Sequence, residues 1–442
     1  MQTLISDYKQ LIENNSKKYI TDYNKLYKSL EDSPAYFQGE VIPFLYQPLF
    51  FQEEDIKKFK KLTDTLARIL TKLIDSYLAE QNFRDEFNFS PQLEELIMID
   101  PGYDDKFPMA RFDIFYHPNG KTKFCEINTD GSSGMVKTNT LEKYFLNSEI
   151  IKDLSDRYDF DYFELVNNWI DKLLEIYREF SDNDKKDKPN IAIMDFTDCA
   201  MISEFKHFKE VISELGYSVK IVDPRELSYD EGVLYSDDFK IDLIYRRAVT
   251  TDIMSNYDQV QPLIKAYKNK DICLIGSFRS QIIHDKLIFS ILHSDLCKEI
   301  LTETEISFIK QHIPYTAQID SLNKKKINDL LNNHTKYVLK PRDSYGSKGV
   351  LVGRDYNRQE WKNKLDELEL NNYLVQEFCE TPEKYMIKFA GDNVEIDKYK
   401  YILGLFLYRK EFSGVYTRVG QENVIASVTG CYTLPNFIIS NY

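Results

Sequence analysis

The stretch Met109 to Gly134, MARFDIFYHPNGKTKFCEINTDGSSG, decides the fold. Two runs of alternating apolar and polar residues flank Asn119-Gly120, the dipeptide that best supports a tight type I′ turn, so the stretch reads as a hairpin. A two-residue loop there, or a four-residue loop of the same register, sets Asp113 opposite Glu126 and Arg111 opposite Asn128. All four then share one face, and the other face carries Phe112 and Ile114 against Ile127 and Cys125 as core. Opposed carboxylates repel unless a cation lies between them, and the oxygens of Asp, Glu and Asn are what a hard divalent ion takes. The expectation is a metal site at Asp113, Glu126 and Asn128. A solvated face on which Arg111 neutralises the two acids is the ordinary alternative. The loop that follows, Asp130-Gly131-Ser132-Ser133-Gly134, weighs against it, because small residues let backbone N–H groups approach a ligand. Such a metal site needs a phosphate partner elsewhere in the chain.

At 442 residues the chain exceeds one ordinary core, so two or three domains or one composite α/β body are expected. Its 57 Lys and Arg against 71 Asp and Glu give a net charge of −14 without a long basic run, which argues against nucleic acid as the main partner. Cationic substrates stay compatible. The six cysteines are scattered, with no C-x-x-C pair, so neither a disulfide framework nor a zinc knuckle is expected and a reducing cytoplasm fits. MQTLISDYKQLIENN at the start lacks an apolar signal core, and the longest apolar run, Tyr401 to Tyr408, is too short to span a bilayer. No membrane partner is expected, and the oligomeric state stays open.

Working outward, residues 1–95 read as a helical N-terminal region: Ile56, Phe59, Leu62, Leu66, Ile69, Leu70, Leu73 and Tyr77 recur at three- and four-residue spacing. Residues 96–185 hold the hairpin, a helix from about Met135 and another across Tyr162 to Phe180, before the polar run SDNDKKDKP. Residues 190–280 open with IAIMDF, a helical run through Ile202, Phe205, Phe208 and Ile212, YSVKIVDP and DLIYRR, which make a βαβ-like unit. No G-x-G-x-x-G joins its strand to its helix, so a dinucleotide site is not expected. Residues 281–390 mix helices with strand-like runs, and 391–442 hold two more, Leu403 to Tyr408 and Val415 to Val419, joined through Phe412-Ser413-Gly414. The fold class is α+β with an α/β portion.

The phosphate partner is sought in Lys340-Pro341-Arg342-Asp343-Ser344-Tyr345-Gly346-Ser347-Lys348-Gly349, which joins two strand-like runs. Glycines 346 and 349 let backbone amides approach an anion. A Walker loop enters a helix, whereas this one returns as a strand and suits a flap closing over phosphates; plain hairpin turns look similar. Lys340 is less ordinary, because it ends an apolar strand where a lysine is costly unless an anion meets it. Gln376-Glu377-Phe378 follows another strand and suits an adenine edge, with Phe378 as a wall, or is an ordinary strand end. Lys286 and Arg418 are single cations that composition does not separate from surface charge.

With these residues in hand, the chain resembles the glutathionylspermidine synthase-like branch of the ATP-grasp ligases, a circularly permuted form in which the metal ligands precede the nucleotide lobe. Arg111-x-Asp113 followed by Glu126-x-Asn128-x-Asp130 resembles that family's metal and substrate segment. Tyr245-Arg246-Arg247 resembles the end of its pre-ATP-grasp region, and Asp285-Lys286, Lys340-Pro341 with Gly346 and Gly349, Gln376-Glu377 and Tyr416-x-Arg418 resemble its helix lysine, flap, hinge and phosphate-binding arginine. The resemblance spans about residue 100 to the end. It implies an ATP-dependent carboxylate–amine ligase with magnesium on Asp113, Glu126 and Asn128, and Arg111 and Arg418 as catalytic cations. ATP would be held by Lys286, Lys340, Tyr345, Gly346, Ser347, Lys348, Gly349, Gln376, Glu377 and Phe378. Asp130, Ser132, Ser133, Arg246 and Arg247 would hold a small-molecule or peptide acid and its amine partner. No cysteine–histidine amidase segment precedes the synthetase part, so hydrolase activity is not implied, and the loop at 130–134 lacks the family's usual proline–threonine, so glutathione is not implied either. A nucleotide-binding regulatory homologue and a small-molecule kinase are the alternatives; a kinase would leave the phosphate on its product.

Overall fold

In a computed structural model, which describes all residues except 1, 38, 182–187, 199–201, 345, 369–371, 427–429 and 442, the opening stretch is an antiparallel hairpin of strands Met109–Tyr116 and Thr122–Asn128. Its turn differs from the expected one. Pro118-Asn119-Gly120 form a three-residue loop, with Gly120 N–H donating to His117 O, His117 N–H donating to Lys121 O, and Gly120 at φ +82°. Pro118 explains this, since its fixed φ suits the second position of a type I turn and leaves only the glycine left-handed. That loop alone would put the acids out of register. A bulge restores it: Ile114 pairs with Phe124 rather than Cys125, Cys125 is the extra residue, and Asp113 then pairs with Glu126 and Arg111 with Asn128. Phe112, Ile114, Phe124 and Ile127 are buried on the opposite face, as alternation demands.

The hairpin is one edge of a six-stranded antiparallel sheet, continued by Asn393–Tyr408, Glu411–Gly420 and Tyr432–Leu434, with Glu383–Ala390 paired to the outer part of Asn393–Tyr408. The two runs expected near the C-terminus are thus one pair of longer strands. They turn at Arg409-Lys410, not at Phe412-Ser413-Gly414. Both turn residues have positive φ, 49° and 69°, a conformation a bare sequence gives no reason to assign to Arg-Lys. Tertiary ion pairs hold it: Arg409 meets Asp105 at 2.7 Å and Glu179 at 2.8 Å.

A four-stranded antiparallel sheet, Thr316–Gln318, Tyr373–Glu377, Tyr337–Pro341 and Leu351–Val352, forms a separate lobe with its own small core around Trp361. The βαβ unit is a parallel sheet ordered Cys273–Ile275, Leu243–Arg246, Ile191–Met194, Val219–Val222. Ile191–Met194 is buried throughout, the mark of a strand covered on both faces. One large core joins this sheet to the six-stranded one through helices Glu53–Ala79 and Leu165–Ser181.

The first 95 residues are not wholly helical. Between helices Ser16–Leu30 and Glu53–Ala79 lie the short strands Tyr36–Phe37, Glu40–Val41 and Leu49–Phe51. The last of these pairs in parallel with Asn436–Asn441, so the start of the chain is stitched to its end by a partner too distant in sequence to be anticipated. Among the described residues no helix is long and apolar enough to cross a membrane.

Candidate active site

Strand register lays one row of side chains across the six-stranded sheet: Glu126, Asp113, Gly404 and Tyr416 are successive cross-strand partners. Asp113, 1% exposed, is the centre of a charge cluster. Arg111 Nε donates to its Oδ1 at 2.8 Å and Arg111 Nη2 to its Oδ2 at 3.1 Å; Arg418 Nη2 donates to the same Oδ2 at 2.5 Å, and Asn128 Nδ2 also donates to it at 3.3 Å. Glu126 meets Lys286 at 3.3 Å. Burial raises the Glu126 carboxyl, but Lys286, Lys340, Arg111 and Arg418 outweigh it and bring the pKa down to about 2. Four cations therefore surround two carboxylates, a surplus of positive charge inside an acidic protein.

The bulge has a second use. Its extra residue exposes the Cys125 carbonyl, which takes the Lys340 ammonium at 2.8 Å, and so fastens the small lobe to the hairpin. Burial lowers the Lys340 pKa, with Cys125 and Glu126 opposing the shift. Between the two sheets opens a cleft. Phe115, Pro314, Val338, Val352, Phe378 and Ile402 give it apolar walls, while Asp113, Glu126, Lys286, Lys340 and Arg418 give it charge. An apolar slot joined to a cationic cluster is what a nucleoside polyphosphate fits.

The loop at 342–349 lies over this cleft, with Ser347 and Lys348 among its lining residues. Lys286 Nζ donates to Ser344 O at 2.7 Å, and Arg342 pairs with Asp285 at 2.8 Å, so the base of the loop is bolted to the turn that carries Lys286. Gly346 has open space around it, whereas a Cβ on Gly349 would lie 2.9 Å from the Tyr373 hydroxyl. Tyr345 lies outside the described residues. At the strand end, the geometry narrows what Gln376-Glu377-Phe378 can do. Glu377 N–H donates to Tyr315 O and Phe378 N–H to Lys336 O, and the Gln376 side chain donates to Thr316 Oγ at 2.9 Å. Those donors are occupied within the fold. The Phe378 ring does line the cleft, with the Arg354 guanidinium 4.0 Å from its centroid.

Asp130, Arg246 and Arg247 come together beside the hairpin, buried and paired. Arg246 meets Asp130 at 2.7 Å, Arg247 meets Glu204 at 2.8 Å, and Asp130 also accepts from Thr250 N–H at 2.6 Å. Arg247 donates to Ser132 O, and the Ser132 hydroxyl donates to Asn128 O at 3.0 Å. Arg111 Nη1 donates to Ser133 O at 2.8 Å. These residues thus lock the 130–134 loop between the parallel sheet and the hairpin, with Gly131 and Ser133 half exposed.

One site residue, Gly404, escapes a reading of the sequence, and a second, Tyr416, enters it only as the start of the Tyr416-x-Arg418 motif. A Cβ on Gly404 would lie 2.7 Å from Arg111 Cδ and 3.0 Å from Asp113 Oδ1, so only glycine leaves room for the clamp. The ring of Tyr416, 2% exposed, has the guanidinium carbons of Arg111 and Arg418 each 5.5 Å from its centroid.

As for magnesium, the donor chemistry fits: two carboxylates and an amide supply hard oxygens at adjoining positions of one face. Among the described residues no cluster of three His, Cys, Asp or Glu side chains converges, so a metal would rest on that mixed set.

Residues 68–420 match the family described as circularly permuted ATP-grasp type 2. A solved structure of a glutathione synthetase-like effector from Globodera pallida, in its apo form, superposes with a TM-score of 0.60 at 10% identity, covering 94% of this chain and 96% of that one. At that identity the likeness concerns the fold alone. No curated protein sequence matches the chain.

Proposed function

The chain belongs to the circularly permuted ATP-grasp type 2 family, and from that premise we propose that it is an ATP-dependent carboxylate–amine ligase acting through an acyl phosphate. The observation that carries the proposal is the Asp113 clamp: two arginines, two lysines and a second carboxylate gathered where the cleft meets the 130–134 loop. A carboxylate oxygen of the first substrate attacks the γ-phosphorus, the bond to the β–γ bridging oxygen breaks, and ADP leaves. The amine nitrogen of the second substrate then adds to the acyl carbon, phosphate departs, and one proton is lost from nitrogen. Arg111, Lys340 and Arg418 offset the charge on the transferring phosphoryl group, and the 342–349 loop keeps water from it. Asp113, Glu126 and Asn128 would hold magnesium, which neutralises phosphate oxygens when bound. The ordered motifs support a glutathionylspermidine synthase-like ligase, without naming its acid or amine.

The test is ADP release measured against pooled carboxylates and amines, followed by mass analysis of the condensed product. Phosphate released only when acid and amine are both present, with a product lighter by one water than their sum, is expected. Turnover with one acceptor and phosphate retained on the product would replace the ligase by a kinase. Nucleotide binding without turnover would leave a regulatory homologue.

A further inference from the structure

We propose that Lys137, with Arg111 and Ser133, forms the subsite for the reacting carboxylate of the acyl substrate, an inference that rests on the ligase reading above. Lys137 stands in the first turn of helix Met135–Phe145, where a cation opposes the positive end of the helix dipole. Such a placement needs another cause. Its ammonium lies 4.8 Å from the centroid of Tyr416, the ring that Arg111 and Arg418 approach at 5.5 Å. Three cations around one ring repel one another, and the ring's weak attraction for each does not answer that repulsion.

Nor do the nearby acids answer it. Asp113 is engaged by the two arginines, and Glu204, the carboxylate at the start of the helix, accepts from Gly134 N–H at 3.3 Å and pairs with Arg247. Among the described residues Lys137 forms no ion pair or hydrogen bond, and the Ser133 hydroxyl has no partner. Lys137 is half-buried and does not line the nucleotide cleft, so its charge is surplus to the phosphates. An anion placed between Lys137 and Arg111 would neutralise it and would lie beside the Asp113–Arg418 clamp, where the phosphoryl group arrives. The substrate carboxylate meets that description: the oxygen turned to the clamp forms the new O–P bond, and Lys137 keeps the other oxygen in place.

The test uses inorganic phosphate as a minimal oxyanion, titrated calorimetrically into the full-length protein with and without saturating magnesium and a non-hydrolysable ATP analogue. The wild type should bind phosphate while the analogue occupies the cleft. Lys137→Gln should weaken that binding about tenfold to a hundredfold, the usual effect of removing a charged hydrogen-bond partner, and Lys137→Arg should restore most of it. Unchanged affinity for the analogue in all three proteins shows that each is folded. Equal phosphate binding by Lys137→Gln, or no phosphate binding by the analogue-loaded wild type, overturns the subsite. A wild type that ignores the analogue instead defeats the ATP reading, and the phosphate titrations without it still decide Lys137.

Discussion

Asp113 and Arg418 lie on strands that are not neighbours, about 9.5 Å apart at the usual strand spacing, with Asn393–Tyr408 running between them. They meet because Gly404 leaves the intervening position empty. Two predictions follow at this scale. Arg418→Ala removes a cation from a closed cleft and should lower turnover about 10²–10³-fold while the protein stays folded; steady-state ADP formation beside a circular dichroism spectrum checks it, and near-normal turnover would rule out a role for Arg418 on the phosphoryl group. Gly404→Ala carries no backbone penalty, since its φ is not in the left-handed range, but its methyl would overlap Arg111 Cδ. A shift of that clamp by about 1 Å should cost turnover roughly 10²-fold, with only about 1–3 kcal/mol of stability lost. The ratio of the two losses is the measurement, and a protein destabilised without loss of activity would break the link between the gap and the clamp.

At the scale of elements, the hairpin shows how much the residues disclose. Alternation fixed its two faces, and the acids share one as expected, yet the route differs: a three-residue turn and a bulge each shift the register, and the shifts cancel. Lys340 and the loop after it were legible because lysine and glycine are out of place in an apolar strand. Gly404 was not, since it reads as a weak strand residue, and Tyr416 was legible only as the neighbour of Arg418, since its ring reads as core until the strand order is known. Helix Met135–Phe145 carries a feature of the same kind. Glu142 is fully buried on it and accepts from Asn436 N–H, Asn436 Nδ2 and Asn139 Nδ2, which ties the helix to the last strand. Burial outweighs those donors and raises its pKa to about 8. The folded protein therefore holds a proton there that an unfolded chain releases near the ordinary value of 4.5. Stability from this group is complete below that value and is lost as pH rises through about 8, with a slope of at most about 1.4 kcal/mol per pH unit. Melting temperatures between pH 5.5 and 8.5 should fall less steeply in Glu142→Gln than in the wild type; parallel curves would mean that the carboxyl titrates normally.

At the scale of the whole molecule, the cleft is built by parts that are distant in the chain. Asp113 and Glu126 come from the hairpin, Ile402 and Arg418 from its sheet partners, Val338 and Lys340 from the small lobe, and Lys286 from a helix turn between them. The permuted order has a physical consequence: the small lobe, residues 316–377, is inserted between strands of one sheet, so a ligand in the cleft ties the insertion to its host. A nucleotide that binds only this assembled state stabilises it by mass action, about 2.7 kcal/mol at a hundred times its dissociation constant. For a chain of 442 residues that unfolds as a unit, this is a rise of roughly 3 °C in the melting temperature. The metal set sharpens the expectation. If Asp113, Glu126 and Asn128 hold magnesium against the phosphates, a non-hydrolysable ATP analogue with magnesium should raise the melting temperature clearly more than the same analogue with chelator, and Asp113→Asn should erase the difference while keeping a smaller, magnesium-independent rise from Lys286 and Lys340. Equal shifts with and without magnesium in the wild type would remove the metal from this face and leave its carboxylates as partners of the arginines alone.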